Sequence, residues 1–96
     1  MKTHWVYLLT NKDRGTFYVG MTNDLVRRVH EHRTKAVAGF TRDHDLTRLM
    51  WFEEHGDRDQ ALRREGLIKK WKREWKYNLV ERQNPFWEDL YEGICK

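Results

Sequence analysis

One cysteine and one proline are all that the 96 residues contain of either, and the apolar runs are short. Cys95 stands one residue from the end, which excludes an internal disulfide and a cysteine-based zinc site and fits a reducing compartment. The opening "MKTHWVYLLT" has too short an apolar run for the core of a signal peptide or for a bilayer span, so the expected location is the cytoplasm, with no membrane partner. The single proline and the absence of repeats or low-complexity linkers leave no place for a domain boundary. Residues 1–96 are therefore expected to form one domain.

What is abundant is charge and aromatic carbon. Charged residues make up 35% of the chain and aromatic residues 14%, a composition that suits a globular domain with a heavily charged surface. Nineteen Lys and Arg against fifteen Asp and Glu leave a formal charge of +4, which permits a phosphate-bearing partner without requiring one.

The order of elements follows from local patterning. "HWVYLL" (4–9) and "TFYVGM" (16–21) are β-branched, aromatic and aliphatic, and the turn-forming "NKDRG" between them predicts an antiparallel hairpin. Asp24 or Asn23 caps a helix to about residue 33, a mixed loop follows over 34–45, and "LTRLMWFEE" (46–54) is a third strand. Asp57 caps a long helix through "RDQALRREGLIKKWKREW", and Asn84-Pro85 ends a final helix or turn. The expected fold is α+β, a small three-stranded antiparallel sheet flanked by helices.

Three places carry polar groups where a core would not want them. A hairpin pairing Thr10 with Gly15 sets Tyr7 opposite Tyr18, on the face of Trp5 and Leu9 rather than that of Val6, Leu8, Phe17 and Val19. Gly20 then leaves that face bare beyond Tyr18, as if to admit a bulky ligand. On the next helix Leu25, Val26 and Val29 supply the buried side. Arg28 and His32, four apart, share another face, which is either solvated or a phosphate fork. With Ala61 at zero and about 100° per residue, Glu65 falls near 40°, inside the arc of Ile68, Trp75 and Trp71. A carboxylate there needs a partner, and Lys72 at about 20° on the same wheel is one candidate while a metal ion is another. "KKWKREWK" (69–76) interleaves basic residues with two tryptophans, although the same wheel sends those tryptophans inward.

Taken together these residues resemble the GIY-YIG nuclease family. "WVY" (5–7) is similar to its first motif and "YVG" (18–20) to its second, with Trp5 where the family name has glycine. Arg28, ten residues after Tyr18, and His32, four further on, occupy positions that the family also fills. "QALRREGLIKKWKREWK" looks like its metal helix, with Glu65 as the ligand, and Asn84 matches an active-site asparagine. The likeness runs through almost the whole chain and is greatest to the small stand-alone bacterial branch, related to structure-selective junction nucleases. Gly66, in the helix interior beside Glu65, should cost about 1 kcal/mol relative to alanine.

The resemblance implies a DNA endonuclease dependent on Mg²⁺ or Mn²⁺, acting on branched or nicked DNA in repair or recombination, with a protein partner for targeting. It implies catalytic roles for Tyr7, Tyr18, Arg28, His32, Glu65 and Asn84, with Tyr7 or Tyr18 as base, its pKa lowered by Arg28. Arg27, His30, Lys69, Lys72 and Arg73 are the expected nucleic-acid contacts. The alternatives are an inactive nucleic-acid binder of the same fold, or a protein-docking domain presenting Trp71, Trp75, Phe86, Trp87 and Tyr91. An RNA-recognition fold does not fit, because "RGTFYVGM" follows the first strand rather than a helix.

Overall fold

A computed structural model of the chain describes residues 3–36, 39 and 43–95. Its elements are β1 (His4–Thr10), β2 (Phe17–Thr22), α1 (Leu25–Arg33), β3 (Arg48–His55), α2 (Arg58–Lys69), α3 (Arg73–Gln83) and a short α4 (Tyr91–Ile94). The α+β class and the three-stranded antiparallel sheet are as expected, with strand order β2-β1-β3. Part of the loop expected over 34–45 lies outside the described residues.

β1 is central and buried on both faces, which is why its sequence is apolar almost throughout. Val6 and Leu8 enter a cluster with Val19, Met50, Trp51, Ala61, Ile68, Leu79 and Val80. Tyr7 and Leu9 enter a second cluster with Leu25, Val29, Leu46 and Leu49. Met50 and Trp51 are sequence neighbours on the same side because the β1–β3 register slips between Leu8 and Leu9, leaving Met50 as an unpaired bulge residue.

The hairpin register differs from the expectation. Thr10 pairs with Phe17, not Gly15, so Tyr7 faces Gly20 and Tyr18 faces Leu9. The loop holds two more residues because it has its own hydrogen-bond frame. The amide of Gly15 donates to Lys12 O (3.0 Å), that of Thr16 donates to Asn11 Oδ1 (3.2 Å), and Arg14 takes a left-handed conformation at φ 53°.

The second half is also divided differently. α2 stops at Lys69, and Lys72 is extended at ψ 152° before α3 begins. A continuous helix from Arg58 to Gln83 would be about 39 Å long at 1.5 Å per residue, whereas the greatest extent of the whole molecule is 34 Å. The break lets α3 fold back and bury Leu79 and Val80. It also voids the wheel for the tryptophans: Trp75 is 53% exposed, forgoing roughly 2 kcal/mol of burial. Trp71 is only partly buried. Among the other aromatic residues of the docking alternative, Phe86 is exposed while Trp87 is in the core, so the five rings do not form one surface.

Candidate active site

The corrected register changes what Gly20 is for. Any side chain there would collide with the Tyr7 ring and with Tyr18 Cε2, so the bare position houses Tyr7 rather than a ligand. Tyr7 lies over Gly20 with its ring centroid 6.2 Å from that of Tyr18. Both phenols thus keep the same face through a diagonal rather than a direct cross-strand relation, since shifting the pairing by two residues preserves alternation.

α1 delivers the next two groups. The Asp24 side chain accepts from the Arg27 amide at 3.2 Å and fixes where the helix starts. Leu25 and Val29 turn inward, but Val26, expected with them, is exposed. The inward arc instead takes in His32, only 2% exposed. Its Nε2 is 3.1 Å from the Tyr7 hydroxyl, and its ring lies 6.0 Å from Tyr7 and 5.4 Å from Tyr18. The solvated-face alternative is therefore wrong for His32.

Arg28 stands at the mouth of this group. Its charge acts on the Tyr7 phenol, and it pairs with Glu31 at 3.2 Å. Glu31 also holds Arg27 at 3.4 Å. Glu31 was absent from the residues singled out in the sequence, although its spacing of three and four from the two arginines was readable there. A cleft of about 470 Å³ opens beside Arg28, and His4, Thr22, Arg27, Glu31 and Arg58 help to line it.

Burial governs the titration of these groups. It raises the Tyr7 phenol well above its ordinary range, with the Tyr18 phenol adding to the rise, and the Arg28 hydrogen bond and charge only partly offset this. The expected lowering of Tyr7 by Arg28 is thus outweighed. Burial likewise lowers His32 to about 4, the Arg28 charge helps, and Glu31 opposes. For Arg28 burial is also the largest influence and pulls downward, but the Tyr7 and Glu31 hydrogen bonds and the Tyr7 charge leave the guanidinium raised. At neutral pH the core of the site is a protonated phenol, a neutral imidazole and a fixed cation. Arginine can only donate, so the arrangement using every donor has Arg28 donating to the Tyr7 oxygen and the Tyr7 hydroxyl donating to His32 Nε2.

Glu65 lies on α2, and its charge is the smallest contributor to the rise of Tyr7. Its side chain is 18% exposed and lies 3.4 Å from Lys69 Nζ, four residues on. Lys72, the partner considered from the wheel, lies past the end of α2 as the N-cap residue of α3. Among the described residues no three His, Cys, Asp or Glu side chains gather as a metal cage. A single carboxylate suits Mg²⁺, which keeps several waters and accepts substrate phosphate oxygens as further ligands.

Asn84 is not brought to this group. It is 4% exposed, and its Nδ2 donates to Met50 O (3.1 Å) and Glu88 O (2.7 Å) while its Oδ1 accepts from Glu88 N (3.0 Å). Its amide satisfies the carbonyl freed by the Met50 bulge and fixes the turn after α3, a structural duty on the other side of the sheet from Tyr7. Among the expected nucleic-acid contacts, His30 Nδ1 is 3.2 Å from the Tyr91 hydroxyl, and Lys69 faces Glu65. Arg27, Lys72 and Arg73 are exposed.

The family profile described as "GIY-YIG catalytic domain" matches residues 3–78. The chain belongs to the GIY-YIG family. The match takes in Tyr7, Tyr18, Arg28, His32 and Glu65 and stops short of Asn84. Within the family the chain is similar to a UPF0213 protein of Haloquadratum walsbyi, with 40% identity over 81% of this chain and 86% of that one. A UPF0213 protein of Clostridium perfringens is 34% identical over 93% and 94%. The solution NMR structure of a UPF0213 protein from Bacillus halodurans superposes with a TM-score of 0.58 at 31% identity, covering 94% of this chain and 95% of that one. GIY-YIG domains are nuclease domains that generally use divalent metals, and this chain has the domain's sheet and helices. No helix among the described residues is long and apolar enough to cross a membrane.

Proposed function

We propose that this GIY-YIG domain is a DNA endonuclease that hydrolyses phosphodiester bonds with Mg²⁺ or Mn²⁺. The observation carrying the reading is the buried 3.1 Å contact between the Tyr7 hydroxyl and His32 Nε2, closed off by Arg28 at the edge of an open cleft. Such a cluster costs stability through burial, and the cleft beside it is lined by Arg27, Arg28 and Arg58, which suits an anionic ligand.

Each residue has a task. Arg28 binds the scissile phosphate and stabilises the charge that develops in the five-coordinate transition state; its charge cannot titrate away. Glu65 would hold the divalent ion, which would supply charge to polarise the phosphate and stabilise the leaving oxygen. Tyr18, half-buried on the rim, is the phenol that meets the attacking water. Tyr7 and His32 lie behind it: as Tyr18 takes a proton from the water and passes its own to Tyr7, Tyr7 releases its hydroxyl proton to His32 Nε2, so both phenols end protonated and the imidazole carries the water's proton. The imidazolium later gives that proton up to solvent, and the leaving 3′ oxygen takes one proton from solvent. Lys72 and Arg73 are placed on backbone phosphates outside the cleft.

Branched or nicked DNA in the cytoplasm is the substrate we favour, with DNA shape or a protein partner supplying selectivity. The test is nicking of plasmid, branched and flapped DNA in Mg²⁺ or Mn²⁺. Arg28→Ala and Glu65→Ala should each lose about 10²–10³-fold. Nicking untouched by either substitution in pure, folded protein would sink the site. One observation favours a binding-only alternative: burial holds Tyr7 in its protonated form. DNA binding with no cleavage in either metal would establish that reading instead.

A further inference from the structure

The break between α2 and α3 leaves an aromatic slot that the nuclease mechanism does not use. Trp71 and Trp75 meet edge to face at 5.9 Å and, with Asn78, Leu79 and Arg82, line a groove of about 250 Å³. Trp75 is more than half exposed, so an indole stands ready on the surface beside an apolar floor. The Arg64 guanidinium lies 5.4 Å from the Trp71 ring centroid and bonds Glu53, which helps to hold that ring.

Charge says what the slot takes. Residues 69–82 hold six of the nineteen Lys and Arg and two of the fifteen Asp and Glu, so this segment carries +4 and the rest of the chain sums to zero. Lys72, Arg73, Lys76 and Arg82 make no ion pair among the described residues, in contrast to Arg14, Arg33 and Arg64. Unneutralised cations around a flat aromatic slot match a ligand with alternating phosphates and planar rings. Stacking needs a ring face that a duplex keeps hidden. The slot begins six residues after Glu65, just past the end of α2.

We infer that the Trp71–Trp75 slot stacks one unpaired nucleobase of the substrate, with Lys72, Arg73 and Arg82 on the flanking phosphates, so that the DNA has a single-stranded segment beside the cleavage point. This deepens the nuclease reading and rests on it for the identity of the polymer. Asn78, whose side chain makes no hydrogen bond among the described residues, lines the slot and is available to the edge of the stacked base.

The experiment uses the full chain with divalent metal chelated, so that nothing is cut. A short oligothymidylate and a duplex of equal length are titrated while indole fluorescence and DNA anisotropy are followed. Oligothymidylate should quench the indole signal, and Trp75→Ala should weaken its binding about tenfold, one stacked base's worth. Duplex affinity should change less than twofold and Trp75→Phe should retain most binding. Arg82→Ala should lower the salt dependence by about one counterion. Equal loss on single and double strands, no loss on either, or a change only in self-association would overturn the inference. Because Arg28→Ala must keep the quench while losing nicking, failure of the slot and failure of the catalytic reading give different results.

Discussion

Val6 and Leu8 leave β1 on one side and meet aliphatic and indole surface; Tyr7 and Leu9 leave it on the other and meet a phenol, an imidazole and a guanidinium as well as aliphatic carbon. The core residues on both sides are buried. On the first, burial contributes stability directly, and its few polar atoms serve the backbone, as Asn84 does at the Met50 bulge. On the second, burial opposes the charged forms of Tyr7 and His32. The contrast teaches that the same dryness stabilises the fold on one face and sets protonation states on the other. An asparagine that looks catalytic in sequence can belong to the structural face.

The comparison breaks most sharply at Asn84. Asn84→Ala leaves Met50 O, Glu88 O and Glu88 N without their partner and should cost about 2–4 kcal/mol in urea denaturation, while folded protein at low temperature keeps its nicking rate. A lost rate with stability intact would return Asn84 to the site. On the other face, Gly20→Ala drives a methyl into the Tyr7 ring. It should cost about 1–3 kcal/mol and lower activity together with stability.

A gentler probe is pH. His32 is held neutral, its folded value of about 4 lying below the unfolded 6.5 or so. The unfolded chain therefore binds the extra proton first. The contribution of His32 is whole above about pH 6.5 and is lost as pH falls towards 4. Comparing urea midpoints of wild type and His32→Gln across that window should show a steeper acid slope in wild type; identical slopes would remove the buried-neutral assignment. The smallest change expected is at Gly66, where an added methyl meets nothing within 4 Å. Gly66→Ala should stabilise by up to about 1 kcal/mol in thermal denaturation, with nicking unchanged. A loss of nicking there would mean that DNA needs the open space beside Glu65.

Much of this was legible in the chain itself. Strand alternation separated Tyr7 from Val6 and Leu8, the Asp24 and Asp57 caps placed two helix starts, and four-residue spacing joined Arg28 to His32. These signals are local, so residue identity and spacing suffice. Alternation even survived the wrong register, because the slip was two residues rather than one. The helix break at residues 70–72 was not legible: no glycine or proline marks it, and its cause is the distance over which Leu79 and Val80 must return to the sheet. Nor was the burial of His32 or the duty of Asn84, each set by what packs against it from a distant part of the chain.

The sequence by itself determined which residues of β1 and β2 share a face and where the Asp24- and Asp57-capped helices start, since both depend on local periods and caps. Only the tertiary structure decided that Gly20 houses Tyr7, that His32 is dry and neutral, and that Trp75 faces water. Those depend on volumes and dielectric environments assembled from segments far apart in the chain, which no local period encodes.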